Sequence, residues 1–390
     1  MKLLGLPLLV WIVVAIGLGV ALGGILPYGM VRLFATFNGV FGNLLQFLIP
    51  LIIVGLVTPA IADIGRGAGR LLLITVMLAY GSTILAGYLS FATSTAVFPD
   101  LMPPSVDTAS LQAVEDVQPF FTIAVPPLFD VMSALVLAFV IGLGIASLGA
   151  PILKEVAIDF KRIIVRTIEV VILPLLPVYI FGIFLTMVKT GQAWRVLNVF
   201  VAIIAVIFVM HVVWLLLQYT AAGLLTRRNP LRLLYNMMPA YFTALGTSSS
   251  AATIPVTLRQ TQKNGVSEDV SGFVVPLCAT IHLSGSCLKI VACAVALMHL
   301  SAMPYTTGQF IGFILMLGVM MVAAPGVPGG AIMAALGVLN TLLGFDEAMQ
   351  AIMIALYITM DSFGTACNVT GDGAIALIVD KINGKKHGDS

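Results

Sequence analysis

The residues best suited to chemistry lie along one face of the last apolar segment. Four polar residues recur there at i, i+4, i+7 and i+11, namely Asp361, Thr365, Asn368 and Asp372. This spacing places them on one side of an α-helix. Two carboxylates, an amide and a hydroxyl are costly inside a membrane unless they face partners or water. A polar seam between helices is the alternative, but two acids exceed what helix association needs, so the stripe predicts a functional site.

The preceding apolar segment carries a second polar face. His282, Ser286 and Lys289 are spaced at i, i+4 and i+7. Lys289 lies near the middle of the predicted span, too far from its end for the ammonium to reach water, so we expect it to pair with an acid. Asp361 is the candidate partner. A lone buried histidine is as often structural as functional, so the pattern leaves the role of His282 open.

Two stretches interrupt apolar segments with residues that disfavour a spanning helix. The first, 247–255, contains a run of serines, and the second, 324–331, combines two prolines with three glycines. Non-helical backbone at membrane depth is tolerated only where it is buried in protein or lines a watery cavity. Paired interruptions of this kind are typical of a transporter's binding site. Helix N-termini and serine hydroxyls could bind a carboxylate there, and exposed carbonyls could coordinate a small cation.

The elements that must position these residues are membrane-spanning helices. The chain of 390 residues is 60% hydrophobic and 9% charged, and its mean hydropathy is +1.10. We predict an all-α membrane protein with eight transmembrane helices plus two re-entrant helical hairpins at 236–262 and 308–342. The eight predicted spans are 6–26, 36–62, 71–97, 128–149, 164–187, 196–223, 272–300 and 350–380. The four cysteines lack the spacing of a metal site, and nothing in the composition indicates a cofactor or a nucleic-acid partner.

Basic residues predict the orientation. With the N-terminus inside, fifteen Lys and Arg residues fall on the cytoplasmic side, three fall outside, and Lys289 lies in the membrane. This bias follows the positive-inside rule, and it requires both hairpins to return to the side from which they entered. We therefore predict a multi-pass protein of the cell inner (plasma) membrane with both termini in the cytoplasm.

The chain resembles the glutamate-transporter family, the dicarboxylate/amino acid:cation symporters, over essentially all of residues 1–382 in hydropathy and loop order, and the resemblance is specific from Thr247 onward. The resemblance rests on Ser-Ser-Ser-Ala-Ala-Thr-Ile-Pro-Val-Thr at 248–257, Gly-Val-Pro-Gly-Gly at 326–330, and Asp361 followed by Asn-Val-Thr-Gly-Asp at 368–372. It implies an elevator-type homotrimer, in which each protomer has a scaffold and a mobile transport domain. The implied parts are a scaffold of 1–70 and 128–195, a transport domain of 71–127 and 196–383, and a flexible tail of 384–390.

The resemblance also implies roles for individual positions. Asp361 would bind the ammonium group of a small amino-acid substrate, and Asn368 and Asp372 would belong to a sodium site. The residues that would enclose the substrate are Ser248, Ser249, Ser250, Ser286, Val327, Gly330, Asp361, Thr365 and Asn368. The residues expected to act in coupling or cation binding are Tyr80, Thr83, Thr280, His282, Ser284, Lys289, Asn368 and Asp372.

Departures from the family pattern favour a neutral substrate. Glutamate carriers have an arginine shortly after the ammonium-binding aspartate, which clamps the side-chain carboxylate of the substrate, and Gly364 stands at that position here. The arginine that some members place at the first hairpin is Thr247. The chain is in this respect similar to the neutral amino-acid carriers, such as the bacterial serine/threonine symporter. The alternative is an acidic amino acid or dicarboxylate, with Lys289 replacing the missing arginine.

The ion sites also depart from the pattern. The family's seventh span normally reads Asn-Met-Asp-Gly-Thr, whereas this chain has His-Leu-Ser-Gly-Ser at 282–286. Losing a carboxylate weakens a sodium site, and imidazole is a poor sodium ligand but a good proton carrier near neutral pH. We therefore expect coupling that is reduced in sodium stoichiometry, proton-driven or absent.

Two other classes of protein remain as alternatives. An anion-conducting channel is one, because some members of the family that the chain resembles conduct anions alongside transport. A membrane enzyme is disfavoured, because Ser249, His282 and Asp361 lie on a hairpin and two separate spans, and no Gly-x-Ser-x-Gly pattern is present.

Overall fold

The chain folds almost entirely into helices. The computed structural model describes residues 2–3, 6–65, 70–101, 117–189, 193–324 and 328–384. A two-residue antiparallel pair, β1 (Lys2–Leu3) and β2 (Leu6–Pro7), precedes the first helix. The helices are α1 Leu8–Gly23, α2 Tyr28–Gly65, α3 Arg70–Leu101, α4 Val131–Leu148, α5 Pro151–Thr167, α6 Leu173–Lys189, α7 Ala193–Thr226, α8 Pro230–Asn236, α9 Met238–Thr247, α10 Ser250–Lys263, α11 Glu268–Ile281, α12 Ser284–Leu300, α13 Thr307–Ala323, α14 Gly330–Leu343, α15 Glu347–Thr359 and α16 Asp361–Gly384.

Several of these helices are long and apolar enough to cross a membrane. In the described part of the chain six stretches meet this criterion, and α15 with α16 forms a seventh if the bent pair is counted as one span. The six are Tyr28–Ala62, Arg70–Leu101, Val131–Leu148, Pro151–Lys189, Phe200–Thr226 and Glu268–Leu300. The predicted first span is shorter than expected: α1 has 16 residues, about 24 Å of helix against a hydrocarbon core of about 30 Å. The fifth span begins earlier than predicted, because α5 joins α6 through a π-helical turn at Ile168–Ile172.

Both stretches that the sequence predicts to be broken are helical hairpins. Between α9 and α10 the chain turns at Ser248, which has a left-handed backbone (φ 50°), and Ser249 caps α10 by accepting a hydrogen bond from the Ala252 N–H. Between α13 and α14 it turns at Gly329, whose φ of 75° favours glycine. In each hairpin the two arms pack against one another. The predicted site residue Val327 lies outside the described residues, as do 66–69, 102–116 and the tail 385–390.

Two further breaks fall within the predicted seventh and eighth spans. The seventh span is interrupted at His282 and Leu283, between α11 and α12. The eighth is interrupted at Met360, where α15 and α16 meet at 62°. His282 is therefore not on the same helix as Ser286 and Lys289, and the predicted common face of these three residues is wrong.

Each of these breaks is stabilised by a polar side chain from the other span. The Asn368 amide oxygen in α16 accepts hydrogen bonds from the Gly285 and Ser286 N–H groups at the start of α12. Lys289 in α12 donates to the Met360 carbonyl at the bend between α15 and α16. Backbone groups freed by a helix break need such partners when they are buried, so the breaks depend on contacts between segments distant in sequence.

The helices associate in two sets, and the buried helix α12 belongs to the second. In one set α2 packs against α4, α5 and α6, and α1 packs against α6. In the other, α3 packs against α12 and α13, while α16 packs against α7, α9, α10, α11 and α12. The most apolar part of the span Glu268–Leu300 is 100% buried within the protein. The polar residues of α12 therefore contact protein rather than lipid.

Candidate functional site

The tips of both hairpins converge on the start of α16. The Ser248 hydroxyl of the first tip lies 2.8 Å from the Ser362 hydroxyl. The Gly329 N–H of the second tip donates to Asp361 Oδ2 at 3.0 Å. Four interruptions of helical structure, the two tips and the breaks at 282–283 and 360, therefore surround one place inside the protein.

A small cavity lies where these elements meet. Its volume is about 30 Å³, enough for about one water molecule, so the tips stand close to the Asp361 carboxylate. The residues that line it come from both hairpins and both broken spans: Ser248, Ser250, Ala279, Thr280, Leu283, Ser286, Ala331, Tyr357, Asp361, Thr365 and Asn368. The only carboxylate among these described residues is Asp361, and none of them is a cation.

Asp361 has a position suited to binding a cation. It is the first residue of α16, where the helix N-terminus favours a negative charge. Its Oδ2 accepts from Gly329, and its Oδ1 lies 3.5 Å from Lys289 Nζ. The pairing of Lys289 with Asp361 expected from the sequence is thus confirmed.

The Lys289 ammonium has three partners and no contact with solvent. Besides Asp361, it donates to the Met360 carbonyl at 3.2 Å and lies 3.7 Å from the centroid of the Tyr357 ring. The side chain is fully buried, and Lys289 is not among the described residues that line the cavity. A buried ammonium with a carboxylate, a carbonyl and an aromatic face is well compensated.

Gly364 provides the space that Lys289 occupies. A Cβ built at Gly364 would lie 2.5 Å from Lys289 Cε and 2.6 Å from Nζ, closer than side chains approach one another. The resemblance places the arginine of glutamate carriers at this position. Here a lysine from α12 fills the volume over the backbone of Gly364 instead.

Asn368 serves mainly as a helix cap in this structure. Its Oδ1 accepts from Gly285 at 2.8 Å and from Ser286 at 3.3 Å, and its Nδ2 donates to the Ser286 hydroxyl at 3.1 Å. The Tyr357 hydroxyl donates to the same Ser286 oxygen at 3.0 Å. The amide oxygen that the resemblance assigns to a sodium site therefore already has two N–H donors.

A second polar cluster surrounds Asp372. His282 Nδ1 donates to Asp372 Oδ1 at 2.8 Å, and His282 Nε2 lies 2.9 Å from the Ser82 hydroxyl. Gln218 donates to Ser82 at 2.9 Å. His282 and Asp372 are at most 1% exposed. The imidazole therefore already binds one oxygen of the carboxylate that the resemblance assigns to a sodium site.

Among the remaining predicted site residues, three threonines donate hydrogen bonds within their own helices. Thr83 and Thr280 donate to carbonyls of their own helices, Ala79 and Leu277. Thr365 likewise donates to the Asp361 carbonyl. The hydroxyl of Tyr80 donates to the Leu315 carbonyl on α13 at 3.1 Å. The buried Ser284 hydroxyl has no hydrogen-bond partner among the described residues, and Gly330 begins α14 at the second tip.

Three residues of these clusters were missed by sequence reasoning. Ser82 and Gln218 are single polar residues within long apolar helices, and such residues resemble isolated structural hydrogen-bonding groups. Tyr357 reads as an ordinary aromatic residue of a span. A signal for Gln218 was nonetheless present, since an amide within the apolar span Phe200–Thr226 needs a buried partner.

A chain of apolar helices with two helical hairpins around buried carboxylates is consistent with a secondary transporter. Comparison with known proteins makes this specific: the chain belongs to the sodium:dicarboxylate symporter family, whose pattern matches residues 8–382. The resemblance to the glutamate-transporter family inferred from the sequence is confirmed.

Similar proteins include three mammalian transporters. The chain is 28% identical over 265 residues to excitatory amino acid transporter 3 of Oryctolagus cuniculus, covering 66% of this chain and 49% of the relative. It is 32% identical over 155 residues to human excitatory amino acid transporter 2, covering 40% of this chain and 27% of that protein. For human excitatory amino acid transporter 1 the identity is 32% over 161 residues, 41% of this chain and 30% of that protein. The match thus spans at most about half the length of these relatives.

Proposed function

We propose that this protein is a secondary-active transporter that moves a small neutral amino acid across the membrane by cation symport. The observation that carries the proposal is the composition of the central cavity, which has one carboxylate, Asp361, and no cation among its described lining residues. The substrate ammonium binds Asp361. The substrate carboxylate binds near Ser248 and Ser250, where the N-terminus of α10 supplies N–H groups and partial positive charge.

The surroundings of Gly364 favour a substrate with a neutral side chain over one with an acidic side chain. An acidic substrate would bring a second carboxylate into the cavity, and the only cation near Asp361 in the described structure is Lys289, which is not among the residues that line the cavity. An unpaired buried carboxylate costs several kcal/mol. The acidic alternative requires Lys289 to leave the Met360 carbonyl and the Tyr357 ring.

We further propose that coupling uses fewer sodium ions than the family pattern implies and that a proton is carried at the pair of His282 and Asp372. Imidazole can gain or lose a proton near neutral pH. When His282 is neutral, the Ser82 hydroxyl can donate to its Nε2 atom. When His282 is protonated, the Ser82 hydroxyl accepts a hydrogen bond from the Nε2–H group. Three other titratable groups among the described residues interact with Asp372: Tyr219 on α7, which donates to the Thr370 carbonyl, Cys278 on α11 and Cys367 on α16.

The large-scale mechanism proposed is an elevator within a homotrimer. In this scheme residues 71–127 and 196–383 move as the transport domain, and 1–70 and 128–195 form the scaffold. Family membership supports the scheme, as does the packing of α3 and α16 around α12. The positive-inside bias supports cytoplasmic termini and a place in the plasma membrane.

Transport by purified protein in liposomes tests the proposal. We expect uptake of L-serine or L-alanine that L-aspartate does not inhibit, and that an inward proton gradient accelerates. Asp361→Asn should abolish uptake, because it removes the counter-charge of the substrate ammonium. Asp159→Asn, the same chemical change at an exposed position of α5, is the matched control and should transport normally. Uptake of L-aspartate in preference to L-serine would favour the acidic alternative, and ohmic current without substrate would favour a channel.

A further inference from the structure

Lys289 binds the same carboxylate that the proposed substrate needs. Its ammonium lies 3.5 Å from Asp361 Oδ1, and Lys289 is not among the described residues that line the cavity. Asp361 itself does line the cavity. The carboxylate can therefore face a ligand ammonium on one side and Lys289 on the other.

The lysine also has partners that remain when a ligand takes over Asp361. The Met360 carbonyl and the Tyr357 ring contact the ammonium independently of the carboxylate, and Gly364 leaves room for it over the backbone. A ligand ammonium can thus weaken the ion pair without leaving Lys289 unpartnered. The arrangement suits a cation that stays in place throughout the transport cycle.

The charge of the site follows directly. Asp361 and Lys289 together carry no net charge, and a zwitterionic amino acid adds none. The binding region is therefore neutral both when loaded and when empty. Without Lys289, the empty region would hold a buried carboxylate with no described cation near it, and moving such a charge through a membrane is expensive.

Resting on the proposed function, we propose that Lys289 is a tethered counter-cation for Asp361, which allows the empty carrier to return across the membrane. A fixed ammonium would replace an ion that must otherwise bind and dissociate in each cycle. Net transport, which requires the empty carrier to return, then depends on Lys289. Exchange of internal for external substrate depends on it much less, because the carrier crosses loaded in both directions. The ligand ammonium then pairs with Asp361 and the ligand carboxylate is bound at the N-terminus of α10, so no carboxylate crosses without a partner.

The test compares two modes of transport with radiolabelled L-serine in proteoliposomes. Net uptake is measured into vesicles without internal serine, and exchange is measured into vesicles loaded with unlabelled L-serine. For Lys289→Ala we expect net uptake to fall by about tenfold or more, while exchange changes by less than about threefold. Methylammonium, which fits the space vacated by the side chain, should restore net uptake, and the bulkier tetramethylammonium should not.

A second variant leaves the lysine in place. Gly364→Ala puts a methyl group against Lys289 Cε and Nζ, so the flexible side chain must move away from Asp361. We expect the ratio of net uptake to exchange to fall in this variant as well. Gly272→Ala on α11, where a Cβ would meet no atom within 4 Å, is the matched control and should keep the ratio of the natural protein.

The outcomes separate this inference from the proposed function. If the natural protein neither takes up nor exchanges neutral amino acids, the proposed function is wrong. If it does both and Lys289→Ala keeps the natural ratio, or loses both modes equally without rescue by methylammonium, the tethered counter-cation is refuted. Loss of net uptake alone, with rescue by methylammonium, supports it.

Discussion

Burial rather than distance should decide how strongly His282 and Asp372 interact. The chain contains two pairs with the same separation of 2.8 Å: His282 with Asp372, whose side chains are 0% and 1% exposed, and Arg162 with Asp159, which are 75% and 65% exposed. Removing one partner of a buried pair leaves a desolvated charge and costs about 3–5 kcal/mol. An exposed pair contributes about 0.2–1 kcal/mol.

A double-mutant cycle measures this difference. We expect His282→Ala alone to lower the free energy of unfolding by about 3–5 kcal/mol, and His282→Ala with Asp372→Asn to recover much of that loss, because no carboxylate is then left unpaired. The corresponding cycle with Arg162→Ala and Asp159→Asn should give a coupling energy below about 1 kcal/mol.

The assay is reversible unfolding in mixed micelles with increasing SDS, followed by tryptophan fluorescence or circular dichroism. A coupling energy is the part of the double-mutant effect that the single effects do not explain. Equal coupling energies for the two pairs would refute the reasoning, since distance would then suffice. A stabilising effect of His282→Ala alone would also contradict it, because Asp372 would have to be satisfied without the imidazole.

Two further predictions concern helix ends. Asn368→Leu should destabilise the protein by about 2–4 kcal/mol, because the N–H groups of Gly285 and Ser286 lose their buried acceptor. Asn368→Asp keeps an acceptor and should destabilise the protein less. Equal unfolding midpoints for the two variants would count against this role of Asn368. Asp130 caps α4, and hydrogen bonds from the hydroxyl and N–H of Ser133 lower the pKa of its carboxyl below the ordinary 3.8. Its stabilising contribution is therefore present at neutral pH and lost as the pH falls through that lowered value, so Asp130→Ala should lower the thermal midpoint at pH 7, and this difference should shrink as the pH falls below 3.8.

Much of the site could be predicted from the sequence, because its components are chemically conspicuous. The serine run at 248–250 and the Pro-Gly stretch at 325–330 cannot continue an ordinary spanning helix, and both predicted interruptions exist. One lysine at membrane depth needs an acid, and Asp361 is its partner in the structure.

The breaks at His282 and Met360 could not be predicted, for a physical reason. Neither is marked by glycine or proline at the break itself, and the local residues are compatible with a helix. The interruptions are stabilised by Asn368 and Lys289, each more than seventy residues away. Sequence periodicity reports local preference, whereas these breaks depend on tertiary hydrogen bonds.

The reciprocal capping of the two broken spans constrains how this protein can change over evolution. A substitution that restores continuous helix at 282–285 would leave the amide oxygen of Asn368 without its N–H donors. One that straightens the bend at Met360 would remove the carbonyl acceptor of the Lys289 ammonium. Either change alone leaves an orphaned polar group on the opposite segment. Viable replacements must therefore come in concerted pairs, one on each span, so the two spans should diverge in step across descendants of this chain.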